Sequence, residues 1–258
     1  MKLYGKFFSI HLRCQMQYKA SFFMTSLGQF LVSFSLLLGI FFMFLRFNTV
    51  EGFTFEQVLL CSAVILFTYS IAECFGRGFD AFPMMIGNGE FDRALVRPRS
   101  EVFLVLASKM EFSRIGRLLQ AIALFCYAIP TSGIDWSADK VLTLFLMISC
   151  GVVIFFGLFV IYAAISFFTI EGIEVMNIVT DGGREFGAYP FSIYGNEVLK
   201  ILTYVIPLAL FQYYPLLYLI GVRDNPLYIF TPLIGLLFLI PCYGLWRFGL
   251  RKYKSTGS

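Results

Sequence analysis

The side chains able to perform chemistry are few and widely separated in this sequence. Its single histidine, His11, has no nucleophile nearby, and the six cysteines stand one by one in apolar stretches, which is typical of small buried hydrophobic residues. The best candidates for paired carboxylates are Glu171 with Glu174 and Asp181 with Glu185, and neither pair has a histidine or cysteine close by. This pattern predicts no metal, no cofactor and no catalytic site in this chain.

A phosphate-binding loop is missing as well. The sequence contains no Gly-x-x-x-x-Gly-Lys-Ser/Thr motif, so the chain cannot bind and hydrolyse ATP by that mechanism. Its apolar stretches also carry no acidic residue in their middle, where ion-coupled transporters keep their relay groups. An energy source within the chain is therefore not expected.

Charged side chains concentrate in one segment, residues 73–117, which holds seven of the twenty basic residues. Its centre begins with Gly87 and ends with Pro98, and its pattern predicts a glycine-rich turn, a short amphipathic helix and a proline stop. This centre is a candidate docking surface, and the alternative is a solvated loop whose charges only set topology. The candidate docking residues are Glu90, Phe91, Asp92, Arg93, Leu95, Arg97 and Pro98.

The composition predicts an all-α protein that crosses a membrane several times. Hydrophobic residues make up 59% of the chain and charged residues 14%, and the mean hydropathy of +0.79 lies outside the usual range of soluble domains. The net charge of +4 is what a membrane protein needs for its orientation, so no nucleic-acid partner is expected. We treat residues 1–258 as a single transmembrane domain.

Six apolar stretches are candidate membrane spans because each approaches the length of about 20 residues that crosses a bilayer. The third has a charged beginning from Lys109 to Arg117, which we interpret as a helix projecting from the membrane. Before the last span, Pro215 divides residues 207–221 into two short halves, which predicts a re-entrant helical hairpin. The predicted spans are residues 21–45, 55–72, 115–130, 141–168, 191–207 and 227–246.

Residues 1–19 precede the first span and have the pattern of a helix lying on the membrane. Leu3, Phe7 and Ile10 share one face at helical spacing, and Lys6 and Arg13 follow a stripe beside it. This arrangement predicts an interfacial helix that contacts membrane lipids.

One face of the first predicted span carries a row of phenylalanines. The members lie within about 20° of one line along a helix. Such a row packs against lipid or against the core, or else lines a route for a hydrophobic or amphipathic cargo. The four residues are Phe23, Phe30, Phe34 and Phe41.

Basic residues are distributed unequally between the two sides of the predicted spans. Only Arg46, Lys140 and Arg223 fall on one side, and the other seventeen fall on the side of both termini. Because basic residues near span ends stay in the cytoplasm, both termini, residues 73–117 and a second polar stretch at 171–190 are predicted to be cytoplasmic.

The order of these features resembles the type 2 permease subunits of bacterial ATP-binding-cassette transporters. Gly89-Glu90-Phe91-Asp92 followed by Leu95-Val96-Arg97-Pro98 is similar to the polar motif of an uncharacterised exporter branch. The C-terminal part is similar to the signature of that branch at Tyr189-Pro190, Ile193-Tyr194, Pro207 and Tyr214-Pro215.

This resemblance implies partner subunits, and it assigns transport and ATP hydrolysis to different chains. Two permeases, identical or related, would pair in the bacterial plasma (inner) membrane, and separate cytosolic subunits would bind ATP with Mg²⁺. Residues 90–98 would then couple the ATPase to the spans, and Tyr214 and Pro215 would form a gate at the outer mouth. The alternatives are an ATP-independent channel or scaffold and, less favoured, a lipid-modifying membrane enzyme.

Overall fold

The computed structural model describes residues 2–169 and 173–255, which form helices and no β-strand. Fourteen α-helices follow one another along these residues, with short 3-10 turns between some of them. The helices are α1 Lys2–Met16, α2 Lys19–Arg46, α3 Phe55–Asp80, α4 Phe82–Gly87, α5 Glu90–Leu95, α6 Glu101–Ser108, α7 Ile115–Thr131, α8 Ala138–Ile165, α9 Ile173–Phe186, α10 Asn196–Tyr204, α11 Leu208–Phe211, α12 Tyr213–Leu219, α13 Leu227–Gly235 and α14 Leu239–Lys252.

Five helical segments in the described residues are long and apolar enough to cross a membrane. They correspond to the predicted spans one, two, three, four and six, so the prediction of an all-α multi-pass protein is confirmed. The count rises to six if α10 and the α11–α12 segment, which meet at 86°, together form one broken span. The five segments are Lys19–Arg46, Phe55–Gly87, Phe112–Thr131, Ala138–Ile165 and Leu227–Lys252.

Helix α3 is the centre of the bundle, where it packs against α7 and α8. Most of its residues are buried, whereas only Ser33 and Ile40 are buried in α2. The close approach of α6 to α3 depends on Gly78, because a Cβ at this residue would overlap the carbonyl oxygen of Val105 in α6. The lack of a side chain at this residue lets α6 lie directly against the end of α3.

The two ends of the bundle differ in what covers them. One end holds α1, α4, α5 and α6 together with the end of α14, and we call it the α5 end. The other, opposite end holds the connections α2–α3, α7–α8 and α12–α13, where Phe53, Trp136 and Tyr228 belong to one apolar cluster.

Helix α1 forms as predicted and packs on the α5 end through a face that the sequence analysis did not single out. The ring of Phe8 lies 4.8 Å from that of Phe112, and His11 Nε2 donates to the carbonyl oxygen of Ala107 at 3.1 Å. Leu3 and Ile10, on the predicted membrane face, remain exposed. The contact of α1 with lipid stays a prediction, while His11 has a structural partner.

The charged beginning of span three is not the projecting helix that we expected. The chain leaves α6 at Lys109, passes through a 3-10 turn at Phe112–Arg114 and enters α7 at Ile115. Arg114 and Arg117 are buried rather than extended toward water. The reason is a carboxylate inside the bundle, Glu73 of α3, which pairs with both of them.

The prediction of a single span over residues 191–207 is wrong. The chain forms a 3-10 turn at Phe191–Tyr194, turns at Gly195 with φ of 85° and continues as the nine-residue helix α10. Its predecessor α9, which lies in the stretch interpreted as a cytoplasmic loop, packs against α8 and α3. Glu171 and the side chain of Glu174 lie outside the described residues.

The predicted hairpin region, 207–221, contains the two short helices α11 and α12. The break between them lies at Gln212 and not at Pro215, because a proline is tolerated in the first turn of a helix. Gln212 is fully buried, and its Nε2 donates to the carbonyl oxygen of Gly187, which ties the break to the end of α9. A re-entrant path and a broken span both fit this geometry.

Candidate functional site

The turn and short helix predicted from the sequence are present at the centre of the polar segment. Gly89 has a φ of 68°, a left-handed conformation that favours glycine, and it immediately precedes α5. Pro98 follows shortly after the end of α5 and prevents its continuation. The six-residue helix α5 therefore lies between two chain turns on the surface of the bundle.

Phe91 fixes α5 to the rest of the chain. Its side chain is fully buried, with ring-centroid distances of 4.9 Å to Phe82, 5.7 Å to Phe167 and 5.2 Å to Tyr253. A side chain without exposed surface cannot enter a cleft of another subunit, so the expectation that Phe91 anchors a partner is wrong. It packs α5 against Phe82 of α4, Phe167 just after α8 and Tyr253 just after α14.

Asp92 is held by the C-terminal end of the chain. Tyr253 Oη donates to Asp92 Oδ1 at 3.0 Å, and Ser255 Oγ donates to Asp92 Oδ2 at 2.6 Å. Partial burial, together with the hydrogen bond to Asp92, raises the pKa of Tyr253 above its ordinary value of 10.0, so the phenol remains a donor at neutral pH. Asp92 therefore braces α5 from within the chain.

The remaining predicted docking residues face away from the bundle. Leu95 is 41% exposed and Val96, which the prediction omitted, is 84% exposed, so these two supply apolar surface. Charge is supplied by the exposed Arg93 and Arg97. A cleft of about 200 Å³ opens beside them, between α1, α4, α5 and α6. The exposed members of the predicted set are Glu90, Arg93, Leu95, Arg97 and Pro98.

A network of ion pairs lies behind α5 and α6 and links them to the long helices. Its most buried member is Glu73, 2% exposed, which lies 2.7 Å from Arg117 Nη1 and 3.1 Å from Arg114 Nη2. Burial of a carboxylate is tolerated only when it is paired, and here two guanidinium groups meet it. The network, as we define it, consists of Glu73, Arg77, Asp80, Glu111, Arg114 and Arg117.

Glu111 connects this network to the loop that follows α6. Its carboxylate lies 2.9 Å from Arg114 and 3.5 Å from Arg77. Burial raises the pKa of Glu111, but the charges of Arg77, Arg114 and Lys109 outweigh that effect and hold the pKa below its ordinary value of 4.5. Glu111 is therefore ionised at neutral pH.

The network also reaches the first long helix. Arg117 donates through Nη2 to Gln29 Oε1 of α2, while its Nη1 contacts Glu73 of α3. Nearby, the backbone N–H of Phe112 donates to Gln15 Oε1 of α1 at 2.9 Å. Four helices, α1, α2, α3 and α7, are thus joined by polar contacts just behind the short helices of the α5 end.

The phenylalanine row lies along α2 as its spacing predicts. Phe23, Phe34 and Phe41 are exposed, and Phe30 is half-buried with its ring 6.1 Å from that of Phe34. The ring of Phe41 also lies 6.3 Å from that of Phe55 in α3, whereas the exposed surface of the row is available to lipid or to another copy. Its assignment to a cargo route stays a prediction.

The predicted gate residues occupy the first turn of α12. Pro215 is buried, and the hydroxyl oxygen of Tyr214 lies 3.2 Å from Thr203 Oγ1 of α10. The ring of Tyr214 also lies 5.6 Å from that of Tyr228 in α13. Both residues hold the short helices together, and a gating role for them stays a prediction.

Comparison with known families identifies the chain. A family model described as ABC-2 family transporter protein matches residues 30–257. The chain belongs to the ABC-2 transporter family. Membership makes it the transmembrane permease component of an ATP-binding-cassette transporter, not itself catalytic, and implies association with ATP-binding subunits. The searches of curated proteins and of solved structures gave no match.

This ABC-2 permease has a second candidate site that the sequence analysis missed. A cleft of about 330 Å³ lies between α2 and α9, near the middle of α2 and α3, and we call it the α2–α9 cleft. Beside it the Tyr69 hydroxyl donates to Asp181 Oδ1 at 2.8 Å, and the Arg184 guanidinium lies 5.4 Å from the ring centre of Tyr69. The lining residues are Val32, Ser33, Ser35, Leu36, Gly39, Leu66, Arg184, Glu185 and Tyr189.

The predicted spans are expected to carry no acidic residue in their middle, and the charged side of this cleft is instead contributed by α9, which lies outside those spans. Asp181, Arg184 and Glu185 are spaced so that they share one face of α9, and Tyr69 is close to the centre of α3. That spacing was the signal in the sequence. The sequence alone identifies Asp181 and Glu185 only as a possible carboxylate pair, because the region is too polar to read as a span.

Proposed function

We propose that this ABC-2 permease is the membrane subunit of an ATP-driven exporter in the bacterial inner membrane, with both termini in the cytoplasm. Two permeases, identical or related, form the cargo route between them. Two cytosolic subunits carry ATP and Mg²⁺ and dock at the α5 end of each permease. The observation that carries the proposal is α5 itself. Its outer side presents exposed charged and apolar residues, and its inner side is held to the bundle by a buried aromatic residue.

Docking would use the outer face of α5. Arg93 and Arg97 can pair with carboxylates of the ATP-binding subunit, and Leu95 with Val96 can fill an apolar pocket. Burial of one such aliphatic side chain is worth about 1.5–3 kcal/mol. An interface of this kind combines an apolar centre with a charged rim, which suits a specific contact between subunits.

Movement of the ATP-binding subunits would reach the membrane spans through the rigid contacts behind α5. Phe91 joins α5 to α4, to Phe167 just after α8 and to α14, and the ion-pair network joins the following loop to α2, α3 and α7. Because packed interiors are close to incompressible, a displacement of α5 moves these helices rather than being absorbed locally. The exposed surface of α2 supports a second permease as its neighbour.

Affinity purification of the permease followed by mass spectrometry tests the proposal. We expect an ATP-binding subunit to co-purify with the wild-type chain in mild detergent. The double substitution Arg93→Glu with Arg97→Glu reverses two charges on the outer face of α5 and is expected to remove that subunit.

The matched control is Arg223→Glu, an exposed arginine in the loop at the opposite end of the bundle. It should leave the complex intact. If no ATP-binding subunit accompanies the wild type, or if the α5 variant retains it as well as the control does, the proposed coupling is wrong.

A further inference from the structure

We propose that the α2–α9 cleft binds the protonated amine of a cationic amphiphile, and that this is the class of cargo the transporter carries. The assignment to cargo rests on the proposed function, whereas the binding itself can be measured on the permease alone. Four observations carry it: the charge of the cleft, an unpartnered hydroxyl, the apolar walls and the position of the cleft within the bundle.

The accessible charge of the cleft is negative. Arg184 has only 9% of its side chain exposed, lies against Tyr69 and pairs with Glu185 at 2.9 Å and Asp181 at 3.9 Å. The carboxylates are more open, since 61% of the Glu185 side chain and 49% of the Asp181 side chain are exposed. The cleft lining thus contains one buried cation, Arg184, and one accessible anion, Glu185, with the exposed Asp181 beside it, which favours a positively charged ligand.

A hydroxyl group provides a second, independent observation. Ser33 lines the cleft and is 6% exposed, and its Oγ has no hydrogen-bond partner among the residues that the structure describes. Buried polar atoms in proteins almost always have a partner. An ammonium group in the cleft can donate one N–H to Glu185 and, once the Ser33 side chain rotates to bring its buried Oγ to the cavity surface, another to Ser33, because both residues line the same cavity.

The remaining walls suit an apolar body. Val32, Leu36 and Leu66 line the cleft, and Gly39 adds no side chain that would narrow it. The outer face of α2 continues these walls with exposed Leu31 and Leu38. A volume of about 330 Å³ accommodates an amine with a few carbon atoms, and the rest of a longer chain can extend along α2.

The position of the α2–α9 cleft within the bundle determines which ligands it excludes. The cleft lies near the middle of α2 and α3, two helices long and apolar enough to cross a membrane. At that depth a charged ligand requires a counter-charge, since an unpaired ion in an apolar medium is strongly unfavourable. An amine finds the accessible carboxylate of Glu185 there, a neutral analogue gains no charge pairing from it, and an anion meets like charge.

The test uses the purified permease without any ATP-binding subunit, in nanodiscs of zwitterionic phosphatidylcholine. The probes are three dansyl-labelled decyl chains that end in a primary amine, a hydroxyl group or a sulfonate. Fluorescence titration should show saturable binding of the amine, at least about tenfold tighter than the hydroxyl probe, and no saturable binding of the sulfonate. Empty nanodiscs of the same lipid measure partitioning into the bilayer.

Glu185→Gln keeps the size of the side chain and removes its charge, so we expect it to weaken amine binding about tenfold. Ser33→Ala removes the second contact and should weaken the same probe without changing the others. Glu197→Gln, an exposed carboxylate on α10 outside the cleft, is the matched control and should bind as the wild type does.

Equal binding of the amine and hydroxyl probes would overturn the proposal, as would wild-type affinity in Glu185→Gln or a signal that empty nanodiscs reproduce. The probe series on the wild-type chain depends on no variant, so misfolding cannot mimic this outcome. Failure of an ATP-binding subunit to co-purify would instead contradict the proposed function and leave the binding result unchanged.

Discussion

At the scale of single residues, Glu73 has the strongest effect on its surroundings. It is a carboxylate 2% exposed in the most buried helix, and it satisfies guanidinium groups that approach from α7 and from the turn before it. Removal of one member of such a group leaves buried charge without compensation, which costs more than an ion pair on the surface contributes.

Glu73→Gln is therefore expected to lower the free energy of unfolding by about 3–5 kcal/mol, because Arg114 and Arg117 lose their shared partner. Unfolding in mixed detergent micelles, followed by circular dichroism, measures this change. Glu197→Gln, which breaks an exposed pair with Lys200, should change stability by at most about 1 kcal/mol. Similar values for the two variants would mean that the network adds no stability.

Acid should weaken the same network through Glu111. The pKa of this residue is lower in the folded chain than its ordinary value of 4.5, so the folded state binds its proton less tightly than the unfolded state. The stabilisation is fully present above pH 4.5 and is lost as pH falls through the lower, folded value. Unfolding midpoints of the wild type should therefore fall in this range more steeply than those of Glu111→Gln. Parallel pH profiles would contradict the prediction.

At the scale of elements, α5 separates two roles that a six-residue helix could combine. Its inner residues, Phe91 and Ala94, are buried and hold the helix in place. Its outer residues are exposed and free to contact a partner. Stability and complex formation should therefore respond to different substitutions in the same short segment.

Phe91→Ala should lower the free energy of unfolding by about 3–5 kcal/mol, because it leaves a cavity among Phe82, Phe167 and Trp246. Val96→Asp should leave stability nearly unchanged, since this side chain is 84% exposed, but should reduce the yield of co-purified ATP-binding subunit. Circular dichroism and quantitative mass spectrometry give the two readings. If both variants still co-purify with the ATP-binding subunit as the wild type does, docking at α5 is contradicted.

The sequence predicts the long apolar helices well and the short ones poorly, for physical reasons. A span such as α8 is specified by local composition alone, since a long apolar helix has few alternatives in a bilayer. The direction of Phe91 depends on rings contributed by Phe82, Phe167 and Tyr253, which are distant in sequence. No local pattern reveals whether one phenylalanine of an amphipathic helix faces its own bundle or a partner.

The same distinction explains the α2–α9 cleft. Asp181 and Arg184 look like loop charges when only their neighbours along the chain are considered. They become acceptable beside the long apolar helices because Tyr69 supplies a hydroxyl to one and an aromatic ring to the other. Those contacts span more than one hundred residues of sequence, so the spacing within α9 indicates that these charges share a face but not which residues they contact.

At the scale of the whole molecule, orientation in the membrane can be tested with Cys14, the exposed cysteine of α1. A membrane-impermeant maleimide should label it in inverted vesicles and leave it unlabelled in intact cells, because the α5 end is proposed to face the cytoplasm. In a Cys14→Ala background, Asp224→Cys in the exposed loop before α13 should give the reverse pattern. Labelling of Cys14 from outside the cell would reverse the proposed topology.

The ion pair between Glu73 and Arg117 also has a consequence for biosynthesis. The two residues are 44 positions apart, so Glu73 is synthesised and leaves the ribosome before Arg117 does. During that interval Glu73 can pair with Arg77 of the same helix but lacks Arg114 and Arg117, and α3 also carries Ser62, Thr68 and Ser70, which are buried in the finished chain. Release of α3 into lipid is unfavourable until α7 arrives, so the nascent helix should remain beside the insertion machinery. We therefore expect the position of Glu73 to determine the order in which α3 and α7 enter the bilayer.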